Sequence, residues 1–255
     1  MVFYFAATGN SLYVAKKLDE NPISIPQMLK HGNLKFSDES IGIVFPIYAG
    51  RVPKIVLDFL KKSTIKTEYF YFIGTYGNSD SAICKTLPEE CRKLGLKIDY
   101  INTISMVDNY LPAFDMEQEI KIDKIINKKI SEIIADISVK KKFIPEATAQ
   151  DLKLAKQVWA MEKLRLMVND GCQLRINIKE CNGCGICKKV CPIGNIVIGS
   201  GIAVRKNAKC EYCLACAHHC PQKAINIKHG EKNPNVRYRN ENVTLQEIIN
   251  SNNQN

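Results

Sequence analysis

Two runs of cysteine constrain this chain more than anything else in it. Cys181-x-x-Cys184-x-x-Cys187-x-x-x-Cys191-Pro192 repeats as Cys210-x-x-Cys213-x-x-Cys216-x-x-x-Cys220-Pro221. Two-residue spacings let three thiolates converge on one face of an iron–sulfur cube, and Gly183 and Gly185 let backbone amides approach the sulfides. Structural zinc is the competing reading. Zinc sites use two CxxC pairs or mix in histidine, whereas here three cysteines are followed by Cys-Pro, twice, which favours [4Fe–4S] clusters. His218 and His219 lie beside the second run and read as surface or packing residues. The chain has eleven cysteines; residues 1–171 hold only Cys84 and Cys91, and nine fall between Cys172 and Cys220. That distribution argues for metal chemistry rather than a disulfide framework. Cys84 and Cys91, on one face of a helix candidate, read as core, and Cys172 has no partner by spacing.

The front of the chain is of another kind. Val2–Ala6, Ile41–Phe45, Tyr69–Ile73 and Ile98–Ile104 are apolar, strand-length runs, and Ile23–Ile25 supplies a further short one. Continuous apolar runs of this length are typical of buried parallel strands. Helical candidates alternate with them near Ser11–Asp19, Pro53–Lys61, Ser81–Leu94 and Met116–Val139; the last carries an isoleucine stripe at Ile122, Ile126, Ile130, Ile133 and Ile137. Such βαβ alternation implies a parallel sheet with helices on both faces. Lys140–Gln150 reads as a connection and Asp151–Val168 as a helix. From Gly171 the chain turns to short strands, glycines and cysteines, ending in a polar tail, 251–255, expected to be disordered.

Thr8-Gly9-Asn10-Ser11 follows the first strand and opens a helix. Its hydroxyl and amide groups, with the free N–H groups of the helix start, make a phosphate cradle. Gly50 and Gly77 also follow strand candidates, where the ligand crevice of an open α/β sheet lies. No GxxxxGK[ST] and no GxGxxG occurs, so neither a nucleoside-triphosphate loop nor a built-in dinucleotide domain is expected.

The stretch Ala6–Ser11 resembles the phosphate loop of flavodoxins, with Ala6 in place of the usual first hydroxyl. Pro46-Ile47-Tyr48-Ala49-Gly50 looks like the loop that lies along a flavin ring, with Tyr48 to stack on it. Thr75-Tyr76-Gly77-Asn78 looks like the loop on the other side. In two-cluster ferredoxins the fourth cysteine of each run ligates the other cluster. Cys181, Cys184, Cys187 and Cys220 are thus assigned to one cluster, and Cys191, Cys210, Cys213 and Cys216 to the second. The whole chain resembles flavodoxin–ferredoxin fusion proteins of anaerobic bacteria and archaea, also in Asp108–Pro112, Asn235–Tyr238 and Val243–Leu245. The resemblance implies a doubly wound, five-stranded parallel α/β domain over 1–145 and a connecting helix over 146–170. A small α+β ferredoxin-like domain over 171–230 and a C-terminal tail over 231–255 complete it.

It also implies FMN, two [4Fe–4S] clusters and electron transfer with redox partner proteins. A reductase acting at the flavin face is the alternative, although no acid–base residue stands out for it. A flavin-free docking module is a third reading, with Ala6 in its favour. Arg51 reads either as a cation near the flavin or as a surface charge. The formal net charge of +10 invites a nucleic-acid partner, but two dianionic clusters lower it by about four. The remaining lysines read as solvated helix faces or a surface for an acidic protein, and no nucleic acid is expected. The chain starts Met1-Val2-Phe3-Tyr4-Phe5, without a basic n-region, and no apolar run approaches a membrane span; a cytoplasmic location is expected.

Overall fold

The computed structural model describes residues 1–80, 82–168 and 174–255, with the backbone alone at 162 and 165–168. Ser81, Gly171 and Cys172, singled out in the sequence, lie outside the described residues. The chain forms two compact units, each built from separate stretches.

The first unit comprises Met1–Ala6, Asn10–Met106 and Asp123–Trp159. Its sheet has five parallel strands: β1 (Val2–Tyr4), β2 (Ile23–Ser24), β3 (Ser40–Pro46), β4 (Tyr69–Tyr76) and β5 (Tyr100–Ser105), in the order β2-β1-β3-β4-β5. The order reverses beside β1, which in open sheets marks where ligands bind at the carboxyl ends of the strands. Helices α1 (Asn10–Leu18), α2 (Ile25–His31), α3 (Lys54–Lys62) and α4 (Ile83–Lys93) make the crossovers, and α5 (Ile126–Ser138) follows the last strand. Contacts pair α1 with α5 and α2 with α3, the arrangement right-handed crossovers produce on two faces of a sheet. This mixed α/β architecture is compatible with a flavodoxin-like domain. Phe3, Phe5, Phe45, Phe59 and Phe72 are fully buried in it, each contributing roughly 1.5–3 kcal/mol.

The helix expected over Met116–Val139 is two pieces. A single turn, Met116–Glu119, precedes the break, and α5 starts at Ile126. The cause is local: the Asp123 carboxylate accepts from the Ile125 N–H at 2.9 Å, and Ile125 takes φ 49°. An Asx turn of this kind competes with helical hydrogen bonding. Ile122 therefore lies outside α5 and is exposed, while Ile130 and Ile133 are buried. Helix α6 (Ala149–Val168) begins in this unit.

The second unit comprises Ala7–Gly9, Val107–Ile122 and Ala160–Asn255. β6 (Leu174–Ile176) pairs antiparallel with β9 (Ile225–Ile227), and β7 (Ile196–Gly199) with β8 (Ile202–Arg205). Short helices α7 (Ile186–Lys189) and α8 (Ala215–His218) and the C-terminal α9 (Leu245–Asn252) complete it. Leu111, Met116, Leu174, Ile196, Ala217 and Ile225 share one core. The tail expected to be disordered is largely ordered: Ser251 and Asn252 end α9 and are buried. A capping box starts that helix, Thr244 Oγ1 accepting from the Glu247 N–H while Glu247 accepts from the Thr244 N–H.

Candidate functional site

The two cysteine runs fold as a repeat. Gly183, Gly185 and Gly194 have φ of 68°, 77° and 61°; 29 positions later Tyr212, Leu214 and Lys223 have φ of 52°, 57° and 50°. Glycine takes this region without strain, whereas the other three hold it at a cost of roughly 1–2 kcal/mol each. The same backbone path in both runs presents N–H groups to sulfur. The Asn195 N–H donates to Cys191 Sγ and, at the equivalent place, the Ala224 N–H to Cys220 Sγ, both at 3.3 Å. The Ala203 N–H donates to Cys181 Sγ at 3.3 Å and the Tyr212 N–H to Cys210 Sγ at 3.4 Å.

Two separate cavities result. One, with about 310 Å³ of empty space, is lined by Cys181, Cys184, Cys187 and Cys220. The other, with about 400 Å³, is lined by Cys191, Cys210, Cys213 and Cys216. All eight are free thiols; Cys184 is exposed, whereas Cys187, Cys191, Cys213 and Cys216 are buried. Burial, reinforced by neighbouring thiols, pushes Cys187 up to about 11; burial pushes Cys213 up to about 12 and Cys216 well above its ordinary value. Such thiols ionise only against a metal. Among the described residues no three His, Cys, Asp or Glu side chains are placed to hold a single metal ion. Four thiols around a void, with N–H donors on their sulfurs, fit an iron–sulfur cube. Gly183 packs against the turn between β7 and β8, where a Cβ would lie 2.2 Å from the Gly201 carbonyl oxygen.

The glycine loop after β1 is held by the second unit's own residues. Thr8 Oγ1 accepts from Asn109 Nδ2 at 2.6 Å, and the Thr8 carbonyl accepts from the Asn240 N–H at 2.8 Å. A Cβ at Gly9 would lie 3.0 Å from the Cβ atoms of Asn240 and Val243. Asn109 leads on to the cysteine-bearing helix α8: its carbonyl lies 2.8 Å from His218 Nε2, and the Tyr238 N–H donates to His218 Nδ1 at 3.1 Å. The Tyr238 donation fixes the tautomer, so Nε2–H donates to Asn109. Burial keeps the ring neutral, lowering its pKa to about 3. His218 is thus a buried connector between Cys216's helix and the Thr8 loop.

In the first unit the Ser11 and Thr75 hydroxyls are hydrogen-bonded at 2.8 Å. Tyr48 and Arg51 exchange two backbone hydrogen bonds around Ala49 and Gly50, both at positive φ, the pattern of a primed two-residue turn. Pro46, the last residue of β3, leads into that turn. The Ala49 carbonyl accepts from Trp159 Nε1 at 2.7 Å, and the Arg51 guanidinium stacks over the Trp159 ring at 4.2 Å. Arg51 is therefore engaged in a cation–π contact. Tyr76 closes β4, and Gly77 next to it accepts from Lys124 Nζ at 3.1 Å and Ser105 Oγ at 3.3 Å; Asn78 follows in the same loop. Helix α1 carries no acidic residue in its first turn, so the positive end of its dipole is not neutralised there.

Over 48 residues the chain is 44% identical to a subunit of the ion-translocating oxidoreductase complex of Methanosarcina acetivorans, a match covering 19% of this chain. The chain spans 18% of that relative's length. No protein-family model matches the chain. No helix among the described residues is long and apolar enough to cross a membrane. Sequence reasoning missed Asn109 as a partner of Thr8, His218 as its link to α8, and Asn240 on the loop. Their only sequence signal was polarity inside otherwise apolar or cysteine-rich stretches.

Proposed function

We propose that this chain is an electron-transfer protein that passes electrons between two [4Fe–4S] clusters, FMN and external redox partners. The observation that carries the reading is the division of eight thiols into two quartets around separate cavities. Cys181, Cys184, Cys187 and Cys220 hold the first cluster; Cys191, Cys210, Cys213 and Cys216 hold the second. Thr8, Gly9, Asn10 and Ser11 hold the flavin phosphate, and the loops Pro46–Gly50 and Thr75–Asn78 flank its ring. When bound, each cluster exchanges one electron and the flavin two. The chain's own groups supply sulfur ligands, N–H donors to those sulfurs and fixed loop carbonyls. The exposed Cys184 edge suits contact with a partner protein, and the partial match to an oxidoreductase subunit supports the general role.

One observation favours a second reading. Asn240 and Val243 pack on Gly9, as they would if the C-terminal segment sealed the loop as a plain turn and no flavin bound. Anaerobic reconstitution with iron, sulfide and excess FMN, then gel filtration and a visible spectrum, separates the two. The proposal expects iron and sulfide for two clusters plus flavin near one per chain. Clusters without flavin select the sealed loop, and no iron–sulfur absorption overturns both readings.

A further inference from the structure

The two cavities differ in charge. No Asp, Glu, Lys, Arg or His lines the first, whereas Arg205, Lys209 and Glu211 line the second. Arg205 ends β8, where it pairs with the buried Ile196. Ala203, two residues earlier on the same face of the strand, meets Cys181 Sγ. Strand β8 thus gives a backbone N–H to the first quartet at Ala203 and lines the second with Arg205.

Arg205 Nη1 is buried and has no hydrogen-bond partner among the described residues, and none of their acidic side chains forms an ion pair with Arg205. Arg205 as a whole is half-buried, but a guanidinium is always charged, and a buried donor left without a partner costs free energy. The compensation its position offers is the negative charge of four thiolates around an iron–sulfur core.

We infer that Arg205 is the fixed counter-cation of the second cluster and selectively raises its reduction potential. This rests on the cluster half of the proposed function and is independent of the flavin. Reduction takes a cluster from a net charge of −2 to −3, so a nearby cation favours the reduced form more than the oxidised one. Lys209, exposed beside Cys210, adds to the same field from the rim.

The test is a potentiometric titration of the full reconstituted chain followed by paramagnetic resonance. Cys191→Ser identifies the second cluster's signal. In Arg205→Gln the second cluster's midpoint shifts to lower potential while the first cluster's stays; Arg205→Lys restores most of the loss. Equal shifts of both midpoints, or none, overturn the assignment. If Arg205→Gln no longer holds the second cluster, Lys209→Gln at the exposed rim decides: a smaller shift of the second cluster alone supports it, and an unmoved midpoint overturns it. Absence of iron and sulfide from the wild-type protein would instead be a failure of the cluster reading, visible before any titration.

Discussion

Gly183 shows how much a single residue can decide here. It stands between Cys181 and Cys184 at φ 68°, with the Gly201 carbonyl oxygen 2.2 Å from where a Cβ would sit. Gly183→Ala combines a left-handed alanine with a backbone clash, a cost of roughly 2–5 kcal/mol. The expected outcome is loss of the first cluster with the second retained, read as half the wild-type iron and one surviving resonance signal. Retention of both clusters would mean that the Cys181–Cys187 turn is not built around its sulfurs as described. The cysteines and this glycine are legible in sequence because their chemistry depends on local spacing. Arg205 is not, since only the pairing of β7 with β8 brings it to the second quartet. Asn109 is illegible for the same reason: its partner Thr8 is 101 residues away.

Among the elements, sequence succeeds where burial is two-sided and fails where a polar side chain redirects the backbone. The runs at Ile41–Phe45 and Tyr69–Ile73 lie within β3 and β4, because a parallel strand covered on both faces leaves no other place for such residues. The isoleucine stripe from Ile122 onward suggests one long helix, yet Asp123 turns the chain before Ile126. The C-terminal segment is the larger surprise. The polar composition of 251–255 suggests disorder, but Ser251 and Asn252 are buried at the end of α9; upstream, Arg237 donates to the Ala217 carbonyl at 3.1 Å and pairs with Glu231 at 2.9 Å. Tyr238 and Asn240 then bind His218 and Thr8, and α9 follows under its capping box. Thr244→Ala removes that cap and should lower stability by about 1 kcal/mol, seen as a lower urea midpoint with an unchanged slope. No change would show that α9 is held by packing alone.

For the whole molecule, the two cysteine quartets have different surroundings. Cys184 gives the first quartet an exposed edge, while the second holds the buried Cys191, Cys213 and Cys216, the last on α8, whose His218 is linked through Asn109 to Thr8. An exposed edge of this kind suits a partner that meets the first proposed cluster. The formal charge of +10 falls by about four with two clusters in place, leaving a mildly basic surface suited to an acidic partner. The most direct measurement is the number of electrons the reconstituted chain accepts in an anaerobic reductive titration. Two clusters and FMN together predict about four electrons per chain, with flavin bleaching and two cluster signals. Uptake of about two, with no flavin change, would contradict the flavin as part of the wire, and uptake of none would contradict the wire itself.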